Sequence, residues 1–147
     1  MKIRIKKEFD GTYFVAYCLN LQGCYVQAPT EAELTKRLQH AFNLYKSSYE
    51  QHGQQIPDLP DKPLINIRIR FTEISTMQLV KVFKQRNYYV EFEDEYAVLM
   101  VNTDFPFNRV HLPKFNSLSR LIIQRIFGDK NTIYIPKSNL KLNKSVS

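Results

Sequence analysis

The sequence predicts an α+β fold built from two successive units, β-β-β-α-β and then α-β-β-β-α. Three observations carry this. A strand–loop–strand–helix pattern runs from Asp10 to Tyr45, a connector with three prolines follows at Ile56–Pro63, and a second alternation of helical and extended patterns fills the remainder. The expected division is residues 1–73, residues 74–136, and a basic tail over 137–147.

Strand one is expected over about 2–9, where Ile3 and Ile5 alternate with Lys2, Arg4 and Lys6. Asp10-Gly11 signals a two-residue hairpin turn. Strand two, about 12–18, is rich in β-branched and aromatic residues, TYFVAYC. Strand three follows at about 23–28, and Pro29 stops it. Thr30 and Glu33 have capping-box spacing. Leu34, Leu38, Ala41, Phe42 and Tyr45 then form one apolar stripe, which predicts a helix over 31–50 with Gly53 beyond its C-terminus. Leu64–Phe71 alternates again and predicts a fourth strand.

In the second unit, Ser75 and Gln78 repeat the capping-box spacing before Leu79, Val80 and Phe83, a helix ending near Asn87. Two extended runs, Tyr88–Phe92 and Tyr96–Val101, flank the acidic turn Glu93-Asp94-Glu95. Arg109–Leu112 is a short strand stopped by Pro113. Asn116 or Ser117 is expected to cap a last helix carrying Leu118, Leu121, Ile122 and Ile126, with Gly128 at its end. Ile133–Ile135 adds a final strand.

The net charge is +7, and residues 74–147 supply +5 of it, 11 basic against 6 acidic side chains. Such a surface attracts nucleic acid or an acidic partner, and it equally serves solubility. Two cysteines make no disulfide framework, and Cys18 and Cys24 are expected as reduced, buried thiols. MKIRIKKEF has no apolar run of the signal-peptide kind, so a cytoplasmic location is expected, without membrane attachment.

Residues Tyr13–Ala16, Cys18-Leu19, Leu21, Gly23-Cys24, Gln27, Thr30 and Glu33 together resemble the N-terminal domain of HicB-family antitoxins. Asn20 and Gln22 stand near the prolines of the family pattern, and Ala28-Pro29 replaces its Gly-Asp. The resemblance implies a shortened ribonuclease H-like unit that covers a HicA-type toxin. From the topology alone, the partner contact is expected at the loop between strands two and three and on the outer sheet, around Tyr17, Asn20, Gln22 and Tyr25. The family's C-terminal DNA-binding segment has no counterpart here. The second unit is similar to HicA toxins, relatives of double-stranded-RNA-binding domains, at Leu79–Phe83, Tyr88–Val90, Val110–Lys114 and Leu118–Ile126.

Where a HicA-type nuclease carries Gly-Ser-His, this chain has Phe92-Glu93-Asp94-Glu95, and the family's second histidine falls on Phe115. Three carboxylates repel phosphate, so the second unit is expected to be catalytically inactive, a packing, dimerisation or contact module. His111 has no acid or second base signalled near it, and His40 and His52 read as an exposed helix residue and a loop residue. No histidine or cysteine spacing indicates a metal, and no glycine-rich loop indicates a phosphate cofactor. The expectation is therefore a HicB-like antitoxin or regulatory binding protein, not an enzyme, that sequesters a HicA-type toxin or related small basic protein. The alternative is an RNA-binding module using Lys114, Arg120 and Arg125 around the last helix. Ribonuclease activity is a third, lesser reading.

Overall fold

The computed structural model describes residues 2–137. The expected tail falls, apart from Lys137, outside the described residues. Strands β1 (Ile5–Phe9), β2 (Phe14–Cys18) and β3 (Tyr25–Ala28) form one antiparallel sheet in that order. Strands β5 (Tyr88–Glu93), β6 (Ala97–Asn102) and β7 (Arg109–Pro113) form a second. The two meet edge to edge: Cys24 bridges His111 in parallel, and the His111 N–H donates to the Gly23 carbonyl at 2.8 Å. The strands thus run β1-β2-β3-β7-β6-β5 across one twisted surface.

Helices cover both faces of that surface. On one side α1 (Glu31–Gln51) buries Leu34, Leu38, Ala41, Tyr45 and Tyr49 against Ala16, Cys18 and Val26 of the first sheet and Leu99 of the second. On the other, α2 (Thr76–Lys84) and α3 (Arg120–Phe127) pack Leu79, Phe83, Ile122 and Ile126 on Val15, Tyr17, Tyr25, Val98, Met100, Val110 and Leu112. The fold is mixed α and β, as the patterning predicts. The boundary at 73 does not separate two cores, because each core draws on both halves. Halves of this size gain more from shared burial than from two small interiors.

The helix starts follow their chemistry. Thr30 accepts the Glu33 N–H, and Ser75 and Gln78 close a reciprocal capping box. Gly53, at φ +65°, ends α1 as expected. The last helix begins later than its spacing predicts, capped by Ser119 rather than Asn116 or Ser117. Tertiary bonds hold the preceding residues out of the helix: the Leu118 N–H donates to the Ile74 carbonyl, and the Gln27 side chain bridges the Ser117 carbonyl and the Ser119 N–H.

Two further expectations are corrected. The first hairpin loop is four residues long, not two, since Phe9 pairs with Phe14. The Asp10 carboxylate accepts the Thr12 and Tyr13 N–H groups and builds the wider turn. The fourth strand shrinks to β4 (Ile69–Phe71) and pairs in parallel with β8 (Thr132–Tyr134), not with the first sheet. The Ile126 carbonyl at the end of α3 captures the Leu64 and Ile65 N–H groups and diverts this segment.

Candidate functional site

The seam between β3 and β7 gathers most of the buried polar chemistry. Gly23 makes the close approach possible. Its φ is +85°, and a Cβ there would lie 2.2 Å from the Arg109 carbonyl oxygen. Arg109 is itself buried, with its Nε donating to Ser48 Oγ at 2.9 Å and one terminal nitrogen donating to the Phe107 carbonyl at 2.8 Å. Its guanidinium lies 3.8 Å over the Tyr49 ring. Hydroxyl, carbonyls and ring face stand in for a carboxylate, which suits the delocalised charge of arginine.

On the opposite face Arg125 joins α3 to the first sheet. Its Nε lies 2.7 Å from Asp61, and its guanidinium lies 3.9 Å over the Tyr17 ring. Asp61 also accepts the Tyr25 hydroxyl at 3.1 Å. Burial pushes the Asp61 carboxyl up, and Arg125, the Gly23 N–H and the Tyr25 hydroxyl offset this only in part. Burial works against the Arg125 charge too, but Asp61 more than compensates and holds the guanidinium above its ordinary value. The Tyr17 hydroxyl donates to Glu8 at 2.6 Å, and burial together with that carboxylate pushes it up to about 12.

The residues expected to meet a partner are therefore already engaged. Tyr17, Asn20 and Tyr25 are buried within the fold. Asn20 bonds the Lys2 carbonyl, the Arg4 N–H and Asp58, and Gln22 donates to the Lys62 carbonyl. The connector covers this side through two of its aspartates, Asp58 accepting from the Asn20 amide and Asp61 from the Tyr25 hydroxyl. The expected nucleic-acid trio is not assembled into one surface either. Lys114 pairs with Glu93, Arg125 is committed to Asp61, and Arg120 lines a separate groove with Lys137 and Glu73.

His111 faces away from Val110 and Leu112, and it is buried. Its Nδ1 lies 2.9 Å from the Tyr25 carbonyl. Burial pushes the imidazole down to about 4, so it is neutral near pH 7. His40 and His52 reach from α1 and its C-cap to Asp94 and Glu91 of the second sheet, contacts that no sequence spacing signals. Partial burial opposes the Asp94 charge, yet the Tyr96 and Ala97 N–H groups and His40 hold its carboxyl below the usual range. Among the described residues no group of three or more His, Cys, Asp or Glu side chains is placed to hold a metal. No described helix is long and apolar enough to cross a membrane.

No family model, no curated protein and no solved structure matches the chain. What fold and seam define is a class: an α+β protein whose two sheets are locked edge to edge by buried polar groups, with the Val15, Tyr17 and Tyr25 face of the first sheet covered by the helices of the second unit.

Proposed function

We propose that the protein is a binding protein of HicB-like type, held closed by its own toxin-like second unit. One observation carries this reading. Residues expected at the partner contact are occupied in cis, Tyr17 under Arg125, the Tyr25 hydroxyl by Asp61 and the Tyr25 backbone carbonyl by His111. Covering a surface requires complementarity and no bond chemistry, and among the described residues no nucleophile–base pair is formed around His111. A HicA-type toxin reaches that face only after α3 and the connector move aside.

The test adds purified full-length protein to a HicA-type toxin and follows RNA cleavage. Arg125→Glu sets a second carboxylate against Asp61 and loosens the seam. The variant, checked for folding by circular dichroism, is expected to inhibit cleavage at lower concentration than the parent. Equal inhibition by both shows that the face was never closed. Inhibition by neither removes the antitoxin-type reading.

RNA binding has support at a different place from the one expected. Arg68, Arg70 and Lys130 line one groove beside β4 and β8, and none has an ion-pair partner among the described residues. Binding there would weaken steeply with salt, and Arg70→Ala would flatten the salt slope.

A further inference from the structure

Strand β1 ends the twisted surface on one side, and among the described residues no strand pairs with its outer edge. At the opposite end β5 is blunted by a bulge between Val90 and Phe92. β1 has neither bulge nor proline, and all five of its residues, IKKEF, stay in register with β2. Ile5, Lys6, Lys7 and Phe9 are exposed. An open, regular edge of this kind is a template for another strand.

The bonds at its two ends show which backbone groups it offers. The Leu19 N–H donates to the Arg4 carbonyl, and the Asp10 N–H to the Tyr13 carbonyl. Backbone groups alternate in direction along an antiparallel pair. Those of Lys6 and Glu8 therefore face β2, and those of Ile5, Lys7 and Phe9 face outward. A second β1, laid antiparallel about a two-fold axis at Lys7, sets Ile5 opposite Phe9 and Lys7 opposite its own counterpart. N–H then meets carbonyl in all of these pairs, and the exposed Ile5 and Phe9 side chains cover each other. Lys6 falls opposite Glu8 of the other copy, in the pairs whose side chains stand closest. Within one chain Lys6 already lies 3.3 Å from Glu8, so four charges of alternating sign come together. Lysines on an edge ordinarily keep strands apart, but this register gives each Lys6 a carboxylate and leaves only the two Lys7 side chains opposed. A slide of one residue sets outward groups against inward ones. A slide of two sets Lys6 or Glu8 against itself.

We propose that β1 is a self-association surface, on which a second copy of this chain pairs β1 to β1 and extends the sheet across a two-fold axis at Lys7. The seam between β3 and β7 takes no part in it. The test follows the mass of the full-length protein by sedimentation, over a concentration series at near-physiological salt. The parent is expected to pass from 17.4 kDa towards twice that mass with a Kd of roughly 10–100 µM. Lys7→Pro removes an outward N–H that the fold does not use, and it should stay monomeric while circular dichroism and melting show the fold intact. Lys7→Glu tests the register without touching the backbone, since residue 7 meets itself only at this axis. An equimolar mixture of parent and Lys7→Glu should form a heterodimer at least ~threefold tighter than either homodimer, beyond the statistical advantage of mixing. A parent that stays monomeric at about 1 mM, a folded Lys7→Pro variant that dimerises like the parent, or a mixture no tighter than statistics require overturns the proposal.

Discussion

Lowering the pH from 7 should destabilise this protein first through His111. Its ring is neutral in the fold down to about 4, against 6.5 for an ordinary histidine. Above 6.5 neither folded nor unfolded chain protonates it, and the full stability is present. As the pH falls below that value the unfolded chain takes up a proton that the fold refuses, so stability declines. Near 4 the folded ring protonates as well and the decline from this group ends. At about 1.4 kcal/mol per pH unit the loss totals about 3 kcal/mol, a large share of a small domain's stability. The assay is urea unfolding at a series of pH values for the parent and for His111→Asn. Asparagine keeps a donor for the Tyr25 carbonyl and does not titrate. Glu8, held low chiefly by the Tyr17 hydroxyl, and Asp94 lose their stabilisation as the pH falls through and below the ordinary carboxylate range, but they do so in both proteins. The difference between the two curves therefore isolates His111. Curves that run parallel from pH 7 to pH 4 would refute the neutral buried imidazole.

Three smaller perturbations test the seam and its supports. Gly23→Ala drives a methyl group into the Arg109 carbonyl and should cost on the order of 2–4 kcal/mol in thermal or denaturant melts. Gly11→Ala also has positive φ but meets open space, so it should cost about 1 kcal/mol and serve as the control. Arg125→Met leaves Asp61 buried without its cation and should cost about 2–3 kcal/mol, of which adding Asp61→Asn should restore a substantial part; strictly additive losses would show that the two do not act as a pair. Ser75→Ala removes one arm of the capping box at α2, with an expected loss of about 1 kcal/mol and faster amide exchange confined to the first turn of that helix.

Legibility of this fold in its sequence tracks the range of the interaction that decides each feature. The caps at Thr30 and Ser75 rest on residues three apart, and spacing alone places them. The strands β2, β3, β6 and β7 rest on local preference, and they too lie where the patterns put them. The start of α3 was legible only to within a few residues, because Gln27 and Ile74, far off in sequence, fix the backbone over 117–119. The partner of β4 was not legible at all. Alternation says that Ile65–Phe71 wants a sheet, but not which one, and the deciding bonds come from the end of α3. The same holds for the site. Tyr17 and Tyr25 read as exposed contact residues because a strand pattern does not reveal a second layer, and here that layer is α3. Asp61 sits in a proline-rich stretch that reads as a mere connector, yet its carboxylate is what draws Arg125, Tyr25 and Gly23 together. Acidic residues in such a stretch are ordinarily solvent-facing. Only the unusual number of aromatic hydroxyls opposite, on the strands it crosses, hints that a buried acceptor is required. A seam assembled from single residues of β3, the connector, β7 and α3 leaves no local motif, so its detection depends on the very packing that it creates.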